Sequence, residues 1–408
     1  MKIWHPYTQE ATELPPIPID RGKGAYLYTR DGRRLIDGIS SWWVNLHGHG
    51  HPLIAKAIAE QARKLEHVIF AGFTHEAAEE LAERLAVILP AELDRVFYSD
   101  NGSTAVEVAL KIAIQYWYNR GEPTKYRIVA LEHAYHGDTI GAMSVSADSP
   151  FTAAFKVLRL PVLRVRNAAE LEELLSARSH EIAAMIIEPL VQGAGGMKIY
   201  AASDLRRFQQ LCAEHNVLLI ADEVFTGLGR TGRMFACEHA GITPDLMCLS
   251  KGLTGGFLPF AVTVCRREIY AAFYSKDRSR TFFHGHSYAG NPLGCAAANA
   301  TLKIFETEPV FDRISAIERI HKMHLGGLRK HPIVVDVRML GTIAAIELLA
   351  ADAGYLSSVR SRLYHFFIEH GVLLRPLCNF VYLVPPYVIG PDDLHYTYEI
   401  IEKALEII

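Results

Sequence analysis

Six short runs in the middle of the chain, at residues 95–98, 127–131, 183–187, 217–221, 246–249 and 260–264, are almost wholly apolar, and stretches of helical spacing separate them. A strand that is apolar on both faces has no solvent side. Strands of this kind joined through helices predict an α/β fold, with a mainly parallel sheet and helices on both faces. Between residues 103 and 118, Val106, Leu110, Ala113 and Trp117 recur at spacings of four and three, and Glu107 pairs with Lys111 one turn on, as on a helix packed by one face. Ligands of such sheets bind beyond the carboxyl ends of the strands, so the residues just after each run are where chemistry is expected.

The ends of the chain read differently. Residues 1 to about 45 are rich in proline and turn residues, with short strands at 25–27 and 34–36. From about residue 306 a helix leads into strands at 333–337, 342–347, 372–374 and 381–384, and a helix near 391–407 follows. The expected organisation is a large domain over 46–305 and a smaller α+β domain built from 1–45 and 306–408. Half of the 408 residues are apolar, enough for two cores. A formal net charge of −3 without a Lys/Arg run argues against a nucleic-acid or anionic-membrane partner. No run approaches the roughly 18 apolar residues that span a bilayer, and the first residues hold no apolar signal core, so a cytoplasmic protein is expected. The six cysteines form no C-x-x-C pair, which gives neither a disulfide framework nor a zinc knuckle.

Two ionisable groups stand at strand ends: Asp222 after 217–221, and Lys251 after 246–249. A lysine amine can hold an aldehyde as a Schiff base while a carboxylate keeps a pyridine nitrogen protonated, which suits pyridoxal phosphate. A strand-end aspartate can also simply begin a turn. Asp100-Asn101-Gly102-Ser103 joins a strand to a helix; with Gly102 permitting close approach and Ser103 capping, it reads as an anion site or as a plain capped helix. His133-Ala134-Tyr135-His136-Gly137-Asp138 places an aromatic ring at the same edge, and Glu188 ends a strand before the glycines at 193, 195 and 196. Either segment fits support of a bound ring or an ordinary polar loop.

Gly227-Leu228-Gly229-Arg230-Thr231-Gly232 has the G-x-G-x-x-G spacing of a dinucleotide site. Its context is wrong, because Asp222 and Glu223 would repel a pyrophosphate and no crossover helix fits before Pro244. His47-Gly48-His49-Gly50-His51 and His284-Gly285-His286 lack the partners of a metal site and read as hydrogen-bonded turn residues, so no metal is expected.

With these motifs together, the chain resembles the class III, or omega, aminotransferases of pyridoxal-phosphate fold type I. The resemblance rests on Ser99 to Glu107, Tyr135-His136-Gly137, Ile220 to Val224 with Gly227 to Gly232, and Leu249 to Gly252 before Gly255-Gly256, and it runs over essentially the whole length. It implies a seven-stranded sheet, with Lys251, Asp222 and Tyr135 as catalytic residues and Val224 and Tyr135 on the two faces of the ring. It further implies that Gly102 and Ser103 hold the phosphate, joined by Ser287 from the partner of a homodimer; the family commonly has threonine at that position. Trp4 to Gln9, Ser40-Ser41-Trp42-Trp43, Val191 to Met197, Phe235 to His239 and Leu374-Arg375-Pro376 resemble the biotin-pathway branch of the family. That resemblance implies amino transfer to 8-amino-7-oxononanoate, with adenosylmethionine or lysine as donor, or another omega-amino acid or diamine reaction as the alternative. Tyr7, Trp42, Trp43, Tyr135 and Gly285 would line the substrate channel, Arg375 would take the acceptor's carboxylate, and Arg230 would lie on the substrate side. Read from the residues alone, Trp42 and Trp43 point to opposite faces of a strand, so one lines the channel.

Overall fold

The computed structural model describes residues 2–13, 15–349 and 358–407. Its largest sheet has seven strands, in the order Leu93–Ser99, Ala261–Arg266, Leu246–Leu249, Leu218–Asp222, Ile182–Ile187, Arg127–Leu131 and Leu163–Val165. Only Ala261–Arg266 runs against its neighbours. The expected α/β class and the mainly parallel seven-stranded sheet are both found. Six of the strands coincide with the apolar runs to within a few residues. The seventh, Leu163–Val165, has three residues and borders only Arg127–Leu131, too short for a pattern to declare it.

The period of two explains why the central strands are apolar on both faces. Leu219, Ala221, Met247 and Leu249 join one core, while Leu218, Ile220, Leu246 and Cys248 join the core under the helix Gly102–Asn119. Each leucine, isoleucine or methionine among them contributes about 1.5–3 kcal/mol on burial. Trp117 pins that helix to the sheet, its indole N–H donating to the carbonyl of Ala183 at 2.9 Å.

Elements from both ends of the chain share a second sheet. Val372–Leu373 pairs parallel with Arg34–Asp37, which is followed outward by Tyr26–Thr29 and Ile19–Lys23. Ile19–Lys23 has no buried residue, so no apolar pattern marks it in the sequence. A third sheet holds Val334–Leu340, Ile343–Leu348 and Phe380–Leu383. The tryptophan pair is not on a strand. Ser40–Trp43 is a tight turn whose four residues all have positive φ, which overturns the strand reading and puts both indoles on one channel.

Candidate active site

Neighbouring parallel strands deliver one ionisable group each to the carboxyl edge of the sheet. Asp222 is the buried last residue of Leu218–Asp222. Its Oδ1 accepts the N–H of Val224 at 3.1 Å, and its Oδ2 lies 2.7 Å from Nδ1 of the buried His136. Two bonds from different elements fix the plane of the carboxylate. The other nitrogen of His136, Nε2, is buried without a hydrogen-bond partner among the described residues.

Lys251 opens a short 3-10 turn just past Leu249, with φ of 44°. A side chain makes that left-handed conformation costly, by roughly 1–2 kcal/mol, and such strain concentrates at functional sites. Gly252 is required beside it, because a Cβ there would come within 2.4 Å of Leu46 Cδ1. Burial pushes the Lys251 ammonium down to about 8, against the opposing pull of Asp222 and Glu188. Its Nζ lies 4.6 Å from the ring centre of Trp43 and 5.5 Å from that of Phe225. An amine poised near neutrality between apolar walls can act both as nucleophile and as proton carrier. Glu188, one residue past Ile182–Ile187, accepts the N–H of Tyr135 at 3.0 Å and of Gly193 at 2.9 Å, while burial raises its carboxyl to about 7.

Asn101, and not Ser103, caps the helix Gly102–Asn119. Its Oδ1 accepts the N–H of Thr104 at 3.0 Å, and Thr104 Oγ1 takes the N–H of Asn101 at 3.0 Å, a reciprocal capping box. Ser103 lies inside the first turn, where its hydroxyl accepts the N–H of Thr139 at 3.0 Å. Gly102 is needed because a Cβ would meet Val224 Cγ1 at 2.6 Å. The free N–H groups and positive dipole end of this turn make an anion site.

A cavity of about 470 Å³ brings these pieces together, lined by Gly102, Ser103, Tyr135, Glu188, Asp222, Val224 and Lys251. Sequence reasoning gave no role to His136, Thr139, Phe225 or Asp138, which also line it. The signal for His136, Asp138 and Thr139 was their place in the Tyr135 loop; Phe225 carries none. A second cavity of about 230 Å³ shares Trp43, Tyr135, Asp138 and Lys251 with the first and is walled by Tyr7, Trp42, Phe151 and Arg375. Asp138 ties its mouth together, accepting the hydroxyl of Tyr135 at 3.0 Å and that of Tyr7. Arg375 stands 5.1 Å from the Trp42 ring centre and donates to the carbonyl of Tyr7 at 3.4 Å. Among the described residues no carboxylate pairs with it.

Three expected site residues lie elsewhere. Arg230 is fully buried outside both cavities; its Nη1 donates to the carbonyl of Pro385 at 2.7 Å and its Nη2 to that of Trp43 at 3.4 Å, so it supports the tryptophan turn from behind. Gly285 and Ser287 are exposed and line neither cavity of their own chain. The Gly227–Gly232 string packs on the C-terminal elements, where a Cβ on Gly341 would lie 2.4 Å from Gly232 N. His49 and His51 are hydrogen-bonded to Asp37 and Glu308, at 2.8 and 3.1 Å, as their reading as hydrogen-bonded turn residues expects, whereas His47 is buried with neither ring nitrogen hydrogen-bonded among the described residues.

The family described as aminotransferase class-III matches residues 7–405. The chain belongs to the class-III aminotransferases. It is 49% identical to the adenosylmethionine-8-amino-7-oxononanoate aminotransferase of Synechococcus elongatus, over 99% of this chain and 98% of that one. The crystal structure of the enzyme of that name from Methanocaldococcus jannaschii superimposes with a TM-score of 0.95 at 36% identity, covering 100% of this chain and 97% of that one. An amine transaminase from an uncultivated Pseudomonas species, solved in a PLP-bound form, gives a TM-score of 0.95 at 31% identity, with 100% and 99% covered. The cofactor of this class-III aminotransferase is pyridoxal 5'-phosphate, and the residues here fit it. The cavity is of ligand size, within roughly 300–1,000 Å³. It offers an amine at Lys251, a carboxylate at Asp222, and a helix N-terminus that the missing Cβ of Gly102 leaves open.

Proposed function

We propose that this class-III aminotransferase moves an amino group from S-adenosylmethionine to the ketone of 8-amino-7-oxononanoate, giving 7,8-diaminononanoate for biotin synthesis. One observation carries the reading: the aromatic channel of Tyr7, Trp42 and Trp43 runs between Lys251 and the guanidinium of Arg375. A long aliphatic acceptor with its ketone at one end and its carboxylate at the other asks for that succession of amine, apolar wall and cation. The relatives named for this reaction support the same substrates.

Pyridoxal phosphate, when bound, supplies an aldehyde that condenses with amines and a protonated ring that draws electrons from the adjoining carbon. Lys251 Nζ would hold that aldehyde. Nζ would take the proton from the amine-bearing carbon of the substrate, as general base, and deliver it to the carbon that had been the cofactor's aldehyde, as general acid. Asp222, oriented by His136 and the N–H of Val224, keeps a proton on the ring nitrogen. Gly102 and Ser103 would hold the phosphate, Val224 and Tyr135 would hold the ring, and Glu188 keeps the backbone of Tyr135 in place. Arg375 takes the acceptor's carboxylate by a charge-assisted bond. Donor and acceptor use the one site in turn, so the kinetics are ping-pong.

The enzyme works as a cytoplasmic homodimer, with Ser287 reaching the phosphate of the partner's site. Phe283 and Tyr288, 77% and 65% exposed beside it, supply apolar surface for that contact. No helix among the described residues is long and apolar enough to cross a membrane.

The test is a pair of half-reactions on the yellow purified protein. Adenosylmethionine should bleach the visible band and 8-amino-7-oxononanoate should restore it. Bleaching by lysine alone would move the donor assignment to lysine, and failure of the ketone to restore the band would defeat the acceptor.

A further inference from the structure

The turn that carries the two channel tryptophans is held in a conformation its own residues disfavour. Ser40, Ser41, Trp42 and Trp43 have φ of 49°, 43°, 74° and 76°, and none is glycine. Left-handed backbone with side chains persists only where its surroundings impose it. The reward is geometric. Adjacent residues of an extended segment face opposite ways, whereas this turn lets neighbouring indoles line one channel. Trp43 packs on Phe225 with ring centres 4.4 Å apart, beside Lys251, and Trp42 stands 5.5 Å from Tyr7, under Arg375.

Ser41, at the middle of the turn, is held by one residue to which no role has been given. Asp37 is wholly buried at the end of the strand Arg34–Asp37. Its Oδ1 accepts the N–H groups of Ile39 at 3.2 Å and Ser41 at 2.9 Å. Its Oδ2 accepts the Ser41 hydroxyl at 2.7 Å and lies 2.8 Å from Nε2 of His49. Two further ties come from outside: the Ser40 hydroxyl donates to the carbonyl of Val384 at 2.7 Å, and Arg230 holds the carbonyl of Trp43.

We infer that Asp37, backed by His49, is a positioning residue of the reaction, acting through the left-handed turn to set Trp42 for the acceptor chain and Trp43 against Lys251. The inference rests on the reading of the channel as the path of the amino-ketone. It uses all four bonds of a buried carboxylate that lines neither of the two cavities itself.

The experiment compares the holoenzyme with Asp37→Asn, Trp42→Ala and the double variant. The amide keeps the size of the side chain but replaces one acceptor oxygen with a donor, so two of the four bonds lose their acceptor. Near-ultraviolet circular dichroism should lose part of its tryptophan signal in Asp37→Asn while the thermal midpoint stays that of a folded protein. The acceptor's KM should rise about tenfold, with a smaller change in kcat. In the double variant the KM should rise over that of Trp42→Ala by clearly less than Asp37→Asn raises it alone, since one of the two rings that Asp37 sets is already gone. A merely structural aspartate would instead multiply its effect with that of Trp42→Ala, and this result, or a folded Asp37→Asn with unchanged dichroism and KM, overturns the inference. Should Asp37→Asn not fold, His49→Ala leaves the other three bonds in place, and the same changes in dichroism and KM, or their absence, decide the question in that variant. A wild-type protein inert toward the ketone would defeat the substrate reading, while the dichroism still decides for or against Asp37.

Discussion

At Lys251 the controlling quantity is the fraction of neutral amine. A lysine brought to about 8 by burial is roughly a tenth neutral at pH 7, against well under a thousandth for an ordinary lysine near 10.4. Only the neutral amine attacks an aldehyde. Protein stripped of cofactor should therefore recapture pyridoxal phosphate at a rate that rises about tenfold per pH unit below 8 and levels off above it. The return of the visible band measures this, and a rate still climbing past pH 10 would mean an unperturbed lysine. Lys251→Ala should fold and retain cofactor through the phosphate site without turning over. Borohydride reduction of the wild type followed by peptide mapping should find the label on Lys251; label on another lysine removes the assignment. Arg375 answers to a different magnitude. A charge-assisted bond contributes roughly 1.5–3 kcal/mol, so Arg375→Ala should weaken acceptor use by about 10- to 150-fold. Its donor half-reaction should change little, and Arg375→Lys should recover only part, because an ammonium lacks the planar fork. Equal losses in the two half-reactions would make Arg375 a shared or structural residue.

Among the elements, the helix Gly102–Asn119 joins stability to binding. Asn101→Ala removes the capping box and should cost about 0.5–2 kcal/mol in denaturant unfolding. Gly102→Ala should cost about 1–3 kcal/mol in that assay and also lower cofactor affinity by an order of magnitude or more, because its Cβ must displace Val224. A tight-binding Gly102→Ala would show that the phosphate sits elsewhere. The same helix marks how far sequence pattern reaches. Its length and buried face were legible from Val106, Leu110, Ala113 and Trp117, since an apolar stripe repeats with the helix period whatever covers it. Its cap was not: Asn101 and Ser103 are both good capping types, and only the backbone at Asn101, extended before the helix begins, decides between them. Strands buried on both faces could be read for the same reason, whereas exposed Ile19–Lys23 and three-residue Leu163–Val165 could not. The turn at Ser40–Trp43 was illegible because its conformation is imposed by Asp37 and Arg230, one of them nearly two hundred residues away in the chain. Asp222 and Lys251 could be placed because strand ends fix position. His136 found its role only in three dimensions, eighty-six residues from Asp222.

At the scale of the whole molecule, the proposed homodimer should reveal itself through Ser287. Within its own chain the residue is exposed and borders neither cavity, so a phosphate role requires a second subunit. One hydroxyl bond to a charged phosphate contributes about 1.5–3 kcal/mol, and Ser287→Ala should loosen cofactor binding by about 10- to 150-fold. Mixing that variant with Lys251→Ala gives the discriminating result. If each site takes its lysine from one chain and its hydroxyl from the other, the hybrid dimer has one site with both groups intact and one with neither. The intact site should bind cofactor with wild-type affinity and turn over, giving about half the activity per dimer at cofactor concentrations where neither parent is active. If Ser287 acted within its own chain, every hybrid site would lack one group or the other, and mixing would restore nothing. Recovery of wild-type affinity at half occupancy, read by equilibrium titration of the visible band, is the expected outcome; absence of any high-affinity fraction in verified hybrids would return Ser287 to the surface.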